Sequence, residues 1–323
     1  MNAAWWAVLL LAFCPLGGSA AVDFLAFGDW GYGRAGSRQQ AVATRMERYA
    51  REANLHFDAA LLLGDNFYRD LSKGVDDRRW RTLFEDMYDA EILPMPFYAT
   101  LGNHDYDRKK IAAQFAYSRE NPESRFKLPA KWYAIDFPSN QPLVTVFVLD
   151  SNWFRQTREE RESQSRWLEQ QLADRKNGPW TVAFGHHPLF SNGRHGDTPV
   201  LIEDWGRLFR KHKLDFYLCG HDHNQQHLEL EEWSPSFVVS GGGGAKLQDV
   251  RRDDRGPFSR VLHGFVHLQF TSEQATVKYI AVDGQVVHEF TRSAEGEVKV
   301  VKTTGRDKPR PGKDDKDDDD DDD

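Results

Sequence analysis

Cysteine is nearly absent from this chain of 323 residues, which has only Cys14 and Cys219. A disulfide framework is therefore not what holds it, and a hydrophobic core has to. No Asn-x-Ser/Thr triplet occurs, so N-glycosylation is not expected. A basic excess is also missing: 42 Lys and Arg stand against 50 Asp and Glu, a formal net charge of −8. Residues 314–323 hold nine Asp and one Lys, and without them each sign numbers 41. The body is formally neutral. It lacks the positive footprint with which proteins bind nucleic acid through its phosphates.

The N-terminus has an apolar core at residues 7–13 and a small-residue site at Gly18-Ser19-Ala20. Residues 1–20 read as a signal peptide, although no Lys or Arg precedes the apolar core. The segment is too short for a comfortable membrane span, so no stable membrane anchor is expected. Cleavage after Ala20 removes Cys14 and leaves Cys219 without a partner, as an inert buried thiol at the end of an apolar run. At the other end, residues 304–323 are polar and charged and read as a disordered acidic tail. Residues 21–303 remain as one α/β domain, exported to an extracellular, periplasmic or lysosome-like compartment.

Within that domain, apolar runs alternate with helix-forming stretches. Strands are expected at residues 22–27, 57–63, 96–101, 143–149, 180–184 and 214–219, nearly all apolar, as in a sheet covered on both faces. Helices are expected at 37–51, 76–88, 159–176 and 199–211, the third stopped by Asn177-Gly178-Pro179. After residue 219 the helices stop. Residues 237–240, 261–271 and 275–282 read as antiparallel strands. The glycines at 241–244 read as a flexible loop, with close approach of backbone to a ligand as the alternative.

The run 214–219 ends in Gly220-His221-Asp222-His223. In extended chain, residues i and i+2 point the same way, so two imidazoles aim into one space. Imidazole is the commonest metal-ligand side chain, yet such a pair alone is weak evidence of a metal. Four other strand ends carry ligand-type residues: Asp29; Asp65 with Tyr68; Asn103 with His104; and His186 beside His187. Singly, each has a structural reading, as a turn former, a helix cap, a packed ring or a core histidine pair. Together, five apolar strands ending in Gly plus an O or N donor, in an order that suits one parallel sheet edge, match what a two-metal hydrolase requires.

Gly28-Asp29-Trp30-Gly31, Gly64-Asp65-Asn66-Phe67-Tyr68, Gly102-Asn103-His104-Asp105, Gly185-His186-His187-Pro188 and Gly220-His221-Asp222-His223 resemble, in order, the five motifs of the calcineurin-like metallophosphoesterases. The variant is similar to the purple acid phosphatases, and most to the small, tartrate-resistant type. The first motif has Trp30-Gly31 where most of the superfamily has a His two residues after the Asp, and Tyr68 stands three residues after Asp65, as in the purple enzymes. The resemblance covers roughly residues 22–290. It implies a four-layer sandwich of two mixed β-sheets flanked by α-helices.

The resemblance further implies an Fe(III) site of Asp29, Asp65, Tyr68 and His223. A second site of Asp65, Asn103, His186 and His221 would take Fe(II), Zn(II) or Mn(II), with Asp65 bridging. Hard carboxylate and phenolate donors suit a trivalent ion, and neutral Asn and imidazole suit a softer divalent one. His104 and His195 match the family's substrate-side histidines, with His195 nine residues after His186; His187 has no ligand role there. The implied activity is hydrolysis of phosphate monoesters, on a small phosphate ester or a phosphoprotein, at acidic pH. A phosphodiesterase or nucleotide hydrolase is the runner-up. A protein that only binds iron or phosphate is the non-catalytic reading, and intact His104 and His195 argue against it. The poly-Asp tail has no counterpart in the family.

Overall fold

The structure is a computed structural model, and it describes residues 21–33, 37–174 and 180–310. The expected signal peptide, Cys14, the Asn177-Gly178-Pro179 stop and the poly-Asp segment lie outside the described residues. In chain order the elements are β1 (Val22–Phe27), α1 (Arg38–Glu52), β2 (Ala59–Leu62), β3 (Phe97–Ala99), α2 (Arg108–Glu120), β4 (Phe126–Lys127), β5 (Tyr133–Phe137) and β6 (Val144–Val148). There follow α3 (Arg158–Ala173), β7 (Trp180–Phe184), α4 (Pro199–His212), β8 (Phe216–Cys219), β9 (Gln225–Leu228), β10 (Ser236–Ser240) and β11 (Phe258–Arg260). Four further strands close the chain: β12 (Gly264–Phe270), β13 (Gln274–Ala281), β14 (Val286–Ser293) and β15 (Val298–Thr303).

The strands form two mixed sheets. One has the order β15-β14-β13-β12-β1-β2-β3-β4, the other β11-β9-β10-β8-β7-β6-β5. The period of two along each strand builds the layers. In β1, Phe24 and Ala26 face Val146, Val182 and Leu218 between the sheets, while Leu25 and Phe27 face Val42 and Met46 of α1. In the second sheet, Phe147, Ala183 and Tyr217 face Leu168 of α3 and Trp205 of α4. Three apolar interlayers thus separate helices, sheet, sheet and helices, and the expected four-layer sandwich is what forms.

Local sequence sets the helix starts. The Ser37 hydroxyl accepts the Gln40 amide to cap α1, and Thr157 with Glu160 forms a capping box on α3. The helix expected over 76–88 does not form. A 3₁₀ turn, Gly74–Asp76, and a π-helical turn, Trp80–Glu85, take its place. The Leu83 carbonyl, which an α-helix would use internally, instead accepts from Gln39 Nε2 at 2.7 Å, and Trp80 stacks on Tyr117 at 3.7 Å. Tertiary packing outweighs local propensity there.

Three other expectations need correction. The five motif-bearing strands do not share one sheet edge: β1, β2 and β3 lie in the first sheet, β7 and β8 in the second. β10 pairs parallel with β8 and antiparallel only with β9. The glycines 241–244 are buried rather than loose. A Cβ on Gly241 would lie 2.2 Å from Asp222 O, and one on Gly243 would lie 2.3 Å from Gly28 O. Close backbone approach is their reason, and Gly243 N donates to Gly28 O at 3.1 Å.

Residues beyond Thr303 also lie against the fold. Arg306 bridges to Ser259, Asp307 pairs with Arg260 at 2.9 Å, and the Arg310 amide donates to Val250 O at 3.1 Å.

Candidate metal centre

The C-terminal ends of β1, β2, β3, β7 and β8 converge where the two sheets face each other. At three of them the chain turns through the left-handed region on a non-glycine residue: Asp29 (φ 59), Asp65 (φ 52) and His221 (φ 69). Such a conformation costs about 1–3 kcal/mol each and is kept where surroundings force it, commonly at functional sites. The turns are pinned to one another. Asp29 N donates to Gly64 O at 3.0 Å, and Gly28 N donates to Ser240 O at 2.8 Å. Gly64, at φ 90, passes so close to His186 that a Cβ would meet Nδ1 at 2.7 Å.

Two clusters of donors result. In the first, one ligand atom each from Asp29, Asp65 and His223 lie within 4.8 Å of one another. His223 Nε2 is 3.4 Å from Asp29 Oδ1 and 3.1 Å from the Tyr68 hydroxyl. Its Nδ1 faces the Lys246 carbonyl at 2.7 Å and must be the donor there, so in the neutral ring Nε2 turns a lone pair inward. In the second cluster, His186 Nε2 is 2.9 Å from Asn103 Oδ1 and 3.2 Å from His221 Nδ1, with His221 Nδ1 3.1 Å from Asn103 Oδ1. His186 Nδ1 donates to Leu63 O at 3.0 Å. Asp65 reaches both clusters, with Oδ2 3.4 Å from His186 Nε2.

The donor set fits a cation. With Nδ1 spent on the Leu63 carbonyl, His186 Nε2 faces the Asn103 side-chain oxygen and His221 Nδ1 as a lone-pair donor, the grouping a metal ion would bridge. Histidines tied down by one ring nitrogen and aimed inward by the other are how proteins orient metal ligands. Burial and the Asp65 and Asp29 carboxylates push the Tyr68 phenol well above its ordinary 10. Only a strong Lewis acid would hold it as phenolate. Burial alone would raise Asp65; the His186 and His104 imidazoles and the His104 amide, which donates at 3.0 Å, bring it below the usual carboxylate range. Burial also opposes charge on His223, but Asp29, the Lys246 carbonyl and Asp65 raise it to about 9.

All seven expected ligands and both expected substrate-side histidines sit around this site. His104 lies beside Tyr68, ring centroids 4.4 Å apart and the planes tilted by 37°. His195 is exposed, its ring 4.1 Å from that of His221. His187 also belongs to the second cluster: its donor atom lies within 4.8 Å of those of His186 and His221. Its Nδ1 is 2.9 Å from Ser151 Oγ, and that hydroxyl also accepts the His186 and His187 amides.

Several residues that build the site carry no reading in the sequence beyond their motif letters. Asp105 accepts the amides of Asn66, Phe67 and Gly102, each at 2.9 Å, and so locks the second and third motifs together. Asp222 accepts the His195 amide at 3.0 Å. Gln248 accepts the His223 amide at 3.1 Å, with Nε2 3.2 Å from His195 Nε2. Asp105 stands beside the substrate-side His104, and Asp222 between the ligand histidines His221 and His223, which is the signal that could have found them. Gln248 has none.

A model of one protein family, described as calcineurin-like phosphoesterase, matches residues 22–225. The chain is 31% identical to tartrate-resistant acid phosphatase type 5 of Homo sapiens over 316 residues, 87% of this chain and 95% of that protein. It is 28% identical to purple acid phosphatase 17 of Arabidopsis thaliana over 299 residues, 87% of each. Among solved structures, GAP50, the anchor in the inner membrane complex of Plasmodium, superposes with a TM-score of 0.72 at 20% identity, over 89% of this chain and 91% of that one. Purple acid phosphatase PPD1 of yellow lupin gives 0.66 at 21% identity, over 86% and 54%. At such identities these two likenesses speak for the fold.

Proposed function

Because the chain belongs to the calcineurin-like phosphoesterases, we propose that it is an exported acid phosphatase that hydrolyses phosphate monoesters at acidic pH with a dinuclear Fe(III)–M(II) centre. The observation that carries this reading is the convergence of seven donor side chains from five strand ends, in two clusters joined by Asp65. Asp29, Asp65, Tyr68 and His223 would hold the Fe(III). Asp65, Asn103, His186 and His221 would hold the divalent ion, Fe(II), Zn(II) or Mn(II). When bound, the two ions supply Lewis acidity toward phosphate oxygens and the attacking water.

The chain's own groups do the rest. The His104 backbone is tied to Asp65, and its imidazole hydrogen-bonds a phosphoryl oxygen. His195, exposed at the mouth, donates a proton to the leaving alkoxide. His187 and Ser151 hold the His186 turn from behind. A site for a free proton donor favours catalysis over simple storage of iron or phosphate. Among the described residues no helix is long and apolar enough to cross a membrane.

The test is turnover by purified, metal-loaded protein in acidic buffer, with nitrophenyl phosphate against the bis(nitrophenyl) diester and metal analysis alongside. Two metals per chain and preference for the monoester are expected. Preference for the diester would transfer the reading to a phosphodiesterase. No turnover of either ester with both metals bound would leave a binding protein.

A further inference from the structure

His195 reaches the site from a loop without regular structure. The loop closes on itself where Thr198 N donates to Leu189 O at 3.1 Å. Two carboxylates hold it. Asp222 lies on the inner side: Oδ1 accepts the His195 amide at 3.0 Å, and Oδ2 accepts Ser191 Oγ at 2.5 Å. Asp197 lies on the outer side and accepts the Ser191 amide at 3.1 Å.

The cation facing Asp197 is Arg255, from the segment between β10 and β11. Its Nη1 is 2.9 Å from Asp197 Oδ1 and 3.0 Å from Oδ2. Its Nη2 donates to the Ser191 carbonyl, and Nε donates to Asn192 Oδ1 at 3.3 Å. Asn192 Nδ2 returns a bond to Arg255 O at 2.8 Å. The Arg255 side chain is only 12% exposed, so the pair is partly shielded from solvent. One rigid guanidinium thus holds three acceptors on the loop, which a lysine ammonium on its flexible stem does not reproduce.

We propose that Arg255 is a positioning residue for leaving-group protonation. Acting through Asp197, Ser191 and Asn192, it fixes the loop and so the place of the His195 imidazole. This rests on the reading of His195 as proton donor given above. A small displacement of such a donor costs rate without costing substrate binding. The cost falls on substrates whose leaving group needs the proton, alkyl phosphates, and spares nitrophenyl phosphate.

The experiment measures kcat and KM on both esters, with metal content as a control. Arg255→Ala is expected to lower kcat on the alkyl phosphate roughly tenfold, with little change on nitrophenyl phosphate, in KM or in bound metal. Arg255→Lys should recover only part. In a His195→Asn background, Arg255→Ala should add nothing to the alkyl phosphate loss, because both changes remove one function. Equal losses on both esters, or full additivity in that background, overturn the proposal. If Arg255→Ala does not fold, Asp197→Asn keeps the side-chain volume, removes the charge partner and is read the same way. A His195→Asn variant that ignores the leaving group sinks the reading of His195 and this inference with it. A leaving-group-dependent His195→Asn beside a flat Arg255→Ala sinks this inference alone.

Discussion

Asp105 Oδ2 accepts the backbone amide of Asn66 at 2.9 Å and so helps join the turn that carries Asp65 and Tyr68 to the turn that carries Asn103 and His104. The other oxygen takes the Phe67 amide and Gln114 Nε2. Asp105 is fully buried, so removing its carboxylate takes that partner from four donors, the Asn66, Phe67 and Gly102 amides and Gln114 Nε2. Each donor left unpaired costs about 1–3 kcal/mol. Asp105→Ala is expected to lower the melting temperature by several degrees and to weaken metal binding in parallel. Calorimetry and metal titration check this. A stable variant with full metal affinity would show that the two turns hold their places independently.

Tyr68 yields a spectroscopic prediction. The purified, oxidised, metal-loaded protein should be coloured by charge transfer from a phenolate, and Tyr68 is the phenol beside His223 and the two carboxylates. Tyr68→Phe should bleach the visible band while the far-ultraviolet circular dichroism stays the same. An unchanged visible spectrum would remove Tyr68 from the metal.

Acid should cost stability through a pair remote from the candidate site. His227 on β9 and His288 on β14 meet across the two sheets, Nδ1 to Nε2 at 2.9 Å, with His227 stacked on Phe290 and His288 on Phe258. Burial, and then His227, push His288 down from 6.5 to about 3. Between those two values the unfolded chain binds a proton that the folded one refuses, so stability rises with pH there and falls as pH drops. The slope is at most about 1.4 kcal/mol per pH unit for one such group. Urea midpoints measured from neutral pH down to mildly acidic pH should fall, and less steeply in His288→Gln. Equal slopes for the two proteins would show that His288 is not the group responsible.

Two truncations of the C-terminal segment test what its residues contribute. Truncation after Arg310 removes only charged and proline- or glycine-containing chain and should leave melting temperature and turnover as they are. Truncation after Thr303 also removes the Asp307–Arg260 pair and the Arg310 bond to Val250. It should lower the melting temperature modestly. Identical melting curves for the two truncations would show that residues 304–310 contribute nothing to the fold.

The sequence by itself determined the strands that carry the site and the side chains at their ends. Both are local properties. An apolar run such as residues 214–219 is buried wherever it lies, and a donor at its end, such as His221 or Asp65, is named by its place in the motif. The four-layer arrangement was legible only through the family resemblance that the five motifs carry, not from the periodicity of the strands themselves. What only tertiary structure decided is how distant segments meet. β1 to β3 and β7 with β8 fall in different sheets, because sheet membership depends on pairing partners and not on the residues of one strand. Trp80 and Leu83 give up an α-helix to Tyr117 and Gln39. Gly241 and Gly243 are required by Asp222 and Gly28, residues that no short-range pattern connects to them. Arg255 and Gln248, which hold the surroundings of His195, are ordinary polar residues until folding brings them within hydrogen-bond distance, and a hydrogen bond between segments tens of residues apart leaves no periodicity to read.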